Sequence, residues 1–382
     1  MTARLSITSA RATAFGGLFA MASGIGIGRF IYTPNLPLMI QTLGLSKSAA
    51  GLIASANFAG YLCGALLAAR LALPGSRRTW LLVSLAASAA STGLMGVITE
   101  VPDFLAMRFA GGVASALILI MSSALVLERL AEAGQQRLAA LHFSGVGIGI
   151  AASALAVALL LRDGQDWTHF WFAGGALALL GLLAVIALVP DTAGPRAAPG
   201  PLKTAPMSGP LRRMAVAYGL FGFGYVITAT FLVTIIRDAA DLRPLEPIIW
   251  IIVGLAAAPS VMFWGAVARR LGLSRGFAWA ALTQAAGVVA SVAWPSNTGI
   301  ILAASLLGGT FMGLTALGLM RARELATGEP RRALALLTGS FGVGQIVGPI
   351  FAGALYDAFG NLAAASMAAA GALVLAAWLA RR

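Results

Sequence analysis

The sequence contains few charged residues. Only 10% of its 382 residues are Asp, Glu, Lys or Arg, whereas a soluble domain carries roughly a quarter. In their place, 59% of the residues are hydrophobic and the mean hydropathy is +0.89. A chain with so little polar surface is excluded from the soluble class, so we expect the lipid bilayer to surround it. Its apolar runs are about twenty residues long, which favours transmembrane helices over barrel strands.

Side chains that carry chemistry are equally scarce. Cys63 is the one cysteine, which excludes a disulfide within the chain and a cysteine-based metal site. The sequence offers no metal cluster and no soluble face on which an active site could be built, which argues against an enzyme. Gly145-x-Gly147-x-Gly149 lacks the strand-turn-helix setting of a nucleotide-binding loop, so we interpret it as close helix packing. We therefore expect no cofactor, no metal and no direct use of ATP.

The net charge of +13 comes mainly from basic residues that lie between the apolar runs. A nucleic-acid-binding protein would collect them on one soluble face, so we expect no nucleic-acid partner. Loops on the side of the N-terminus hold 20 of the 26 Lys and Arg residues. The positive-inside rule then predicts a multi-pass protein of the cell inner (plasma) membrane, with both termini in the cytoplasm.

Apolar windows between polar breaks predict an all-α membrane protein with twelve transmembrane helices. Residues 1–190 form the predicted N-terminal bundle, with helices near 13–40, 49–71, 79–99, 103–127, 137–161 and 167–189. The proline-rich segment 191–213 is the predicted cytoplasmic linker. Residues 214–382 form the predicted C-terminal bundle, with helices near 214–236, 246–268, 275–294, 297–320, 333–356 and 361–380.

The two predicted bundles repeat each other in sequence. Gly26–Thr33 in helix 1 aligns with Gly222–Ala229 in helix 7 at an offset of 196 residues. Two glycines of helix 4 align with two of helix 10, and two glycines of helix 5 align with two of helix 11, in both cases at an offset of 197 residues. Such parallel repeats predict two bundles related by a pseudo-two-fold axis, with a solute site at their interface near the bilayer midplane.

Several segments resemble the major facilitator superfamily, and the likeness covers the whole chain. The loop Gly265–Arg275 is similar to the family's basic cytoplasmic motif, although the corresponding loop after helix 2 lacks the usual Asp. Gly26–Pro37 together with Ser55–Tyr61 resembles the bacterial YbfB/YjiJ-type branch. The resemblance implies alternating access, in which two bundles rock about a cavity lined by helices 1, 4, 7 and 10. From this loop and from helix 11 we predict the gating residues Arg269, Arg270, Arg275, Gly344, Gly348 and Pro349.

Two arginines lie well inside predicted helices, in the hydrocarbon region rather than at a helix end: Arg29 in helix 1 and Arg108 in helix 4. An ionisable side chain in hydrocarbon is costly, so it normally faces a cavity or a partner. As bidentate donors, both arginines suit a carboxylate or a phosphate. The alternative is that either one donates to backbone carbonyls freed by Pro34, Pro37 and nearby glycines.

Polar side chains on the lining helices complete the predicted site. Tyr225 occupies the repeat position of Arg29, so we prefer Tyr32, Asn57 and Tyr225 as solute contacts. The full predicted substrate-binding set is Arg29, Tyr32, Asn57, Tyr61, Arg108, Tyr225, Thr228, Thr310 and Gln345. His142 is predicted to exchange a coupling proton, with a packing histidine as the alternative.

No Asp or Glu falls in the middle of a predicted helix, so the predicted cavity is positive or neutral. This favours an organic anion or a neutral metabolite over a cation. The predicted function is therefore secondary active transport of a small solute, driven by protons and carried out by a monomer. The alternatives are a multidrug-type efflux carrier and a membrane sensor that keeps the carrier fold without transporting.

Overall fold

The structure, a computed structural model, describes residues 7–70, 75–191, 207–326 and 330–381. Twelve helical passes run through this part of the chain, in two halves of six. In the N-terminal half, helix 1 comprises Ile7–Met21, Ala22–Ile27 and Tyr32–Leu43, and helices 2 to 6 are Lys47–Arg70, Arg77–Leu94, Val101–Glu132, Ala139–Arg162 and Trp167–Leu188. In the C-terminal half, helix 7 is Gly209–Asp238, helix 8 comprises Glu246–Ala257 and Ser260–Leu271, and helices 9 to 12 are Leu273–Ala293, Asn297–Leu325, Pro330–Phe359 and Ala363–Arg381. The predicted fold is confirmed.

Length and apolarity support a membrane-spanning bundle. Ten helices of the described part are long and apolar enough to cross a membrane, and the two segments of helix 8 together make an eleventh. Helix 3 is the remaining pass; it has 18 residues and begins with Arg77 and Arg78. Large apolar side chains such as Val97 and Phe263 are 64% and 58% exposed, as expected of a surface that faces lipid.

Short polar residues set several helix beginnings. The Ser76, Ser208 and Ser296 hydroxyls accept hydrogen bonds from backbone N–H groups in the first turns of helices 3, 7 and 10. Asp166 does the same for helix 6. These caps satisfy N–H groups that have no partner within the helix.

The structure corrects some predicted boundaries. Helix 7 begins at Gly209 rather than 214, so the end of the predicted linker 191–213 is helical, while residues 192–206 lie outside the described part. Helix 4 extends to Glu132 rather than 127, because its polar end lies beyond the apolar run, where Glu128 pairs with Arg77 at 2.6 Å. The predicted continuous helices 1 and 8 are broken; helix 8 bends by 43° beside Pro259, which lacks a backbone N–H.

The two halves meet along three helix pairs, namely helices 2 and 11, 5 and 8, and 1 and 7. Because twelve passes return the chain to its starting side, the beginning of helix 1 and the end of helix 12 lie at the same end of the bundle. We call this end the terminal side and the opposite end the far side. Thr33 Oγ1 donates to the Ala229 carbonyl at 2.7 Å, and these two residues are equivalent in the repeat. The pseudo-two-fold axis therefore passes between helices 1 and 7 at this point.

Candidate functional site

Helix 1 is interrupted about half-way along its length. The backbone widens into a π-helix over Ala22–Ile27, where the Gly28 N–H donates to the Ser23 carbonyl at 2.9 Å. Pro34 has no N–H to offer to the carbonyl of Phe30. That carbonyl accepts a hydrogen bond from the Trp250 indole of the C-terminal half at 3.2 Å. The break therefore exposes backbone carbonyls to side chains at the interface between the halves.

Arg108 binds this break. Its Nη1 donates to the Gly28 carbonyl at 3.1 Å and its Nη2 to the Arg29 carbonyl at 3.0 Å. The guanidinium also lies 5.0 Å from the ring centroid of Tyr32. Asn57 fixes the same region, since its Nδ2 donates to the Arg108 carbonyl at 2.9 Å. In this structure Arg108 makes the backbone contacts that were the alternative to solute binding, and its role as a solute ligand stays a prediction.

The Arg29 guanidinium is surrounded by aromatic rings. Its Cζ atom lies 4.5 Å from the ring centroid of Phe58, 4.7 Å from that of Tyr61 and 5.7 Å from that of Phe30. The residue is 7% exposed, and its Nε and Nη2 atoms are buried without a hydrogen-bond partner in the described part of the chain. Ring faces stabilise the cation by about 0.5–2 kcal/mol each, but they leave its N–H groups available to an acceptor.

The C-terminal half brings a stack of aromatic rings to this region. The Tyr225 ring is parallel, within 4°, to those of Phe311 and Phe341, at centroid distances of 5.8 and 5.7 Å. Phe311 in turn packs edge-on against Phe30, a ring of the Arg29 cage, at 5.7 Å. Aromatic contacts thus continue from the Arg29 cage across the interface. We call Arg29 with Phe30, Phe58, Tyr61, Tyr225, Phe311, Phe341 and Gln345 the central cluster.

Gln345 supplies the amide of the central cluster. Its Nε2 donates to the Tyr225 hydroxyl, and its Oε1 is buried without a hydrogen-bond partner in the described chain. The side chain is 0% exposed, so this carbonyl oxygen lies among groups that offer it no donor. The cluster therefore contains both a free set of donors, on Arg29, and a free acceptor, on Gln345.

The other predicted solute contacts have structural partners or lie apart. The Tyr32 hydroxyl donates to the Ala50 carbonyl at 2.8 Å, and Thr310 donates back into its own helix. Thr228 is buried, and its hydroxyl has no hydrogen-bond partner among the described residues. Of the nine predicted residues, Arg29, Tyr61, Tyr225 and Gln345 therefore come together in the central cluster.

His142 lies inside the N-terminal half. It is 0% exposed, its Nε2 is 3.2 Å from the Ser123 hydroxyl, and its ring packs against Phe143 and Gly17. These neighbours belong to helices 1, 4 and 5 of one half. Its proposed exchange of a coupling proton stays a prediction.

The predicted gating residues fall into three environments. Gly344 and Gly348 pack against helix 7 of their own half, since a Cβ atom there would meet the Gly219 carbonyl oxygen at 2.1 Å and Val226 Cγ1 at 2.6 Å. The Pro349 carbonyl contacts Gly51 of helix 2, across the interface between the halves. The remaining three residues, Arg269, Arg270 and Arg275, are exposed to solvent at the terminal side. None of them forms an ion pair with another described residue.

Sequence reasoning missed the aromatic members of the site. Phe58 and Phe311 directly follow Asn57 and Thr310, two residues that were selected for their polarity. The aromatic spacing of Tyr218, Phe221 and Tyr225 along one face of helix 7 was a usable signal, because residues three and four apart are neighbours on a helix. Among the described residues, no group of three or more His, Cys, Asp or Glu side chains is placed to hold a metal ion.

Two six-helix bundles that enclose a cation and a set of aromatic rings at their interface define a membrane transporter of the carrier type. The chain belongs to the major facilitator superfamily, since residues 21–381 match the family described as "Uncharacterised MFS-type transporter YbfB". The predicted family and branch are therefore confirmed. A chloramphenicol resistance protein of Streptomyces lividans is 27% identical over 341 residues, covering 86% of this chain and 85% of that protein.

Solved structures agree with this fold. The crystal structure of the nucleoside transporter NupG has a TM-score of 0.71 at 16% identity, with 98% of both chains covered. A bacterial homolog of the human lysosomal transporter Spinster, in an inward-facing and unoccupied conformation, has a TM-score of 0.68 at 13% identity, covering 99% of this chain and 96% of that one. At these identities the likeness establishes the fold alone.

Proposed function

We propose that this protein is a secondary active transporter that moves a small organic anion or neutral metabolite by alternating access, driven by a proton gradient. The observation that carries the proposal is Arg29, a buried cation at the interface between the halves with two nitrogen atoms that lack a hydrogen-bond partner in the described chain. A solute with an anionic group or a strong acceptor would complete these hydrogen bonds.

The surroundings of Arg29 support the proposed preference for anionic or neutral solutes over cations. Its charge is stabilised by the rings of Phe58 and Tyr61 rather than by a carboxylate, and none of the ion pairs among the described residues involves it. A cationic solute beside Arg29 would therefore meet an uncompensated like charge in a medium of low dielectric constant. An anion or a polarised neutral group would be attracted.

A second candidate is efflux of a neutral aromatic drug. The Streptomyces lividans relative is named for chloramphenicol resistance, and the parallel rings of Tyr225, Phe311 and Phe341 would suit an aromatic solute. This candidate uses the same central cluster but depends less on the Arg29 charge, so the same variants separate the two.

The test is transport by purified protein in proteoliposomes. The panel contains organic anions, neutral nucleosides, chloramphenicol and a lipophilic cation, each with and without an imposed proton gradient. We compare Arg29→Ala and Arg29→Lys with Arg162→Ala, which removes an exposed arginine at the far end of helix 5. Gradient-dependent anion or nucleoside transport that only the Arg29 variants lose supports the proposal. Chloramphenicol transport that survives Arg29→Ala favours the drug carrier, and cation transport unaffected by Arg29→Ala contradicts the proposed solute class.

We also propose the orientation and setting predicted from the basic residues. Both termini would face the cytoplasm of a bacterial cell, with the terminal side inward and the far side outward. Labelling of single engineered cysteines in intact cells, at Arg275 on the terminal side and at Gln165 on the far side, tests this. A membrane-impermeant reagent should label only position 165.

We further propose that the transporter works as a monomer and that His142 remains a candidate for the coupling proton.

A further inference from the structure

The central cluster contains two unpaired hydrogen-bonding groups of opposite kind, one in each half. Arg29 of helix 1 has Nε and Nη2 as donors without an acceptor in the described chain, and Gln345 of helix 11 has Oε1 as an acceptor without a donor there. Both side chains are almost fully enclosed, at 7% and 0% exposure. Because buried polar groups nearly always have partners, two unmatched groups at one interface indicate a site for a solute that supplies both partners.

Contacts between helices 2 and 11 bring the two groups to the same depth in the bundle. The part of helix 2 that encloses Arg29 lies between Ser55 and Leu62. Ser55 Oγ donates to the Ile346 carbonyl at 2.7 Å, and a Cβ on Gly342 would lie 3.1 Å from Leu62 Cδ1. The stretch of helix 11 between these two contacts includes the amide of the central cluster. The guanidinium cage of one half therefore faces the free amide oxygen of the other.

Aromatic rings lie beside both groups. The Arg29 guanidinium is 4.5 Å from the ring centroid of Phe58, and the Gln345 amide donates to the hydroxyl of Tyr225, whose ring is parallel to that of Phe341 within 4°. A solute that reaches both polar groups therefore passes along ring faces. A flat aromatic solute stacks on such faces better than a flexible aliphatic one.

The two polar groups also determine the orientation of such a solute. A guanidinium pairs best with a carboxylate, which can accept two hydrogen bonds from it. An amide oxygen accepts only from O–H or N–H groups, and an ionised carboxylate has none to offer. The carboxylate of the solute therefore belongs at Arg29, and a separate donor belongs at Gln345.

We infer that the solute is an aromatic carboxylate with a hydroxyl or aniline-type amino group on its ring, bound to Arg29 through the carboxylate and to Gln345 Oε1 through the ring donor. The inference rests on the proposed function, since it uses the same central site and names the class of anion. A carboxylate without the donor satisfies only the N-terminal half. A solute with both groups joins the two halves and favours the arrangement in which they close on it.

The first experiment compares solutes on the native protein by isothermal titration calorimetry at about pH 7, where a carboxylic acid is ionised and a phenol is neutral. The probes are meta- and para-hydroxybenzoate, benzoate, which lacks the ring donor, and para-hydroxycyclohexanecarboxylate, which keeps both groups but has no flat ring. At least one hydroxybenzoate should bind about five- to 100-fold more tightly than benzoate, because benzoate leaves a buried acceptor unpaired. The saturated analogue should bind about two- to tenfold more weakly than that hydroxybenzoate, because it cannot stack.

Variants test which side chain recognises the ring donor. Gln345→Met keeps the approximate size of the side chain but removes its strong acceptor, so it should bind the hydroxybenzoate and benzoate equally. Gln284→Met is the matched control, because Gln284 is also 0% exposed but lies on helix 9, outside the central cluster; it should keep the native preference. Arg29→Ala should lose binding of both solutes. If Gln345→Met does not fold, the comparison of solutes on the native protein still decides.

The outcomes separate this inference from the proposed function. Hydroxybenzoates that bind no more tightly than benzoate, or a native preference that survives Gln345→Met, would overturn the inferred class. If another anion is instead transported in a way that depends on Arg29, the proposed function stands and only the class is wrong. If the hydroxybenzoates bind as expected but a proton gradient does not drive their uptake into proteoliposomes, the class stands and proton-driven transport is wrong.

Discussion

Replacing Arg108 by Lys tests whether this arginine stabilises the break in helix 1. The lysine keeps the positive charge, but its ammonium group cannot reproduce the planar pair of donors that reaches both the Gly28 and Arg29 carbonyls at 3.1 and 3.0 Å. Since Asn57 binds the Arg108 backbone rather than its side chain, that contact is retained. The substitution therefore isolates two side-chain hydrogen bonds.

The size of the effect follows from these two bonds. Hydrogen bonds to charged groups contribute about 1.5–3 kcal/mol each in proteins, whereas polar contacts within membrane helices average about 0.6 kcal/mol. Losing two bonds at these values lowers the free energy of unfolding by about 1–6 kcal/mol, with the higher part of the range expected because Arg108 is 4% exposed. At about 2 °C per kcal/mol, the apparent Tm should fall by roughly 2–12 °C.

The assay is thermal unfolding of the purified protein without solute, followed by solute binding at a temperature where both forms are folded. Arg162→Lys, at an exposed site, serves as the matched control and should leave Tm unchanged. If Arg108→Lys also leaves Tm unchanged but weakens solute binding at least tenfold, Arg108 acts as a solute ligand and the structural interpretation is refuted.

Three further predictions concern packing and pH. Gly112→Ala should destabilise the protein by about 1–3 kcal/mol, because the added Cβ would lie 2.0 Å from the Asn57 carbonyl oxygen. Gly309 occupies the repeat position, and a Cβ added there would have no neighbouring atom within 4 Å. Gly309→Ala should therefore be neutral or stabilising in the same thermal assay. Gly147→Ala, whose Cβ would lie 2.3 Å from the Ala258 nitrogen of the other half, should slow transport several-fold, while Gly339→Ala, with nothing within 4 Å, should not. Hydrogen bonds from Thr168 and His169 lower the pKa of Asp166 from 3.8 to about 2. The stability that Asp166 contributes is therefore fully present above pH 3.8 and lost as the pH falls through about 2, so the Tm difference between the native protein and Asp166→Asn should stay constant from about pH 8 to pH 4 and vanish near pH 2.

The number and order of helices could be predicted because hydrocarbon imposes a nearly fixed apolar length on each pass. The break in helix 1 could not, although Pro34 and the glycines before it were visible. A proline shows that one carbonyl loses its backbone partner, but its new partner, the Trp250 indole, comes from 220 residues further along the chain. Helix ends such as Glu132 were missed because apolarity marks the lipid boundary rather than the end of the hydrogen-bonded helix.

The part of the candidate site that could be predicted from the sequence was its buried charge. Arg29 stood out because arginine is rare in an apolar run, and the repeat connected it with Tyr225. Its cage of Phe58 and Tyr61 could not be recognised in the same way, because aromatic residues are common in membrane helices and only the packing of helix 2 against helix 1 gives them a role. On the far side, Arg237 lies 2.7 Å from Glu246 of its own half and donates to Gln41 of the other half at 2.7 Å. This connection was missed because charges near helix ends serve equally well as ordinary loop residues.

The contact between helices 5 and 8 consists of backbone against backbone. A Cβ on Gly147 would meet the Ala258 nitrogen at 2.3 Å, and one on Gly254 would meet the Ala151 nitrogen at 2.4 Å. No large side chain lies between helices 5 and 8 here. Movement of one helix along the other therefore requires no change of side-chain rotamer and opens no cavity. This seam between the two halves is therefore a place where side-chain packing offers little steric resistance to sliding.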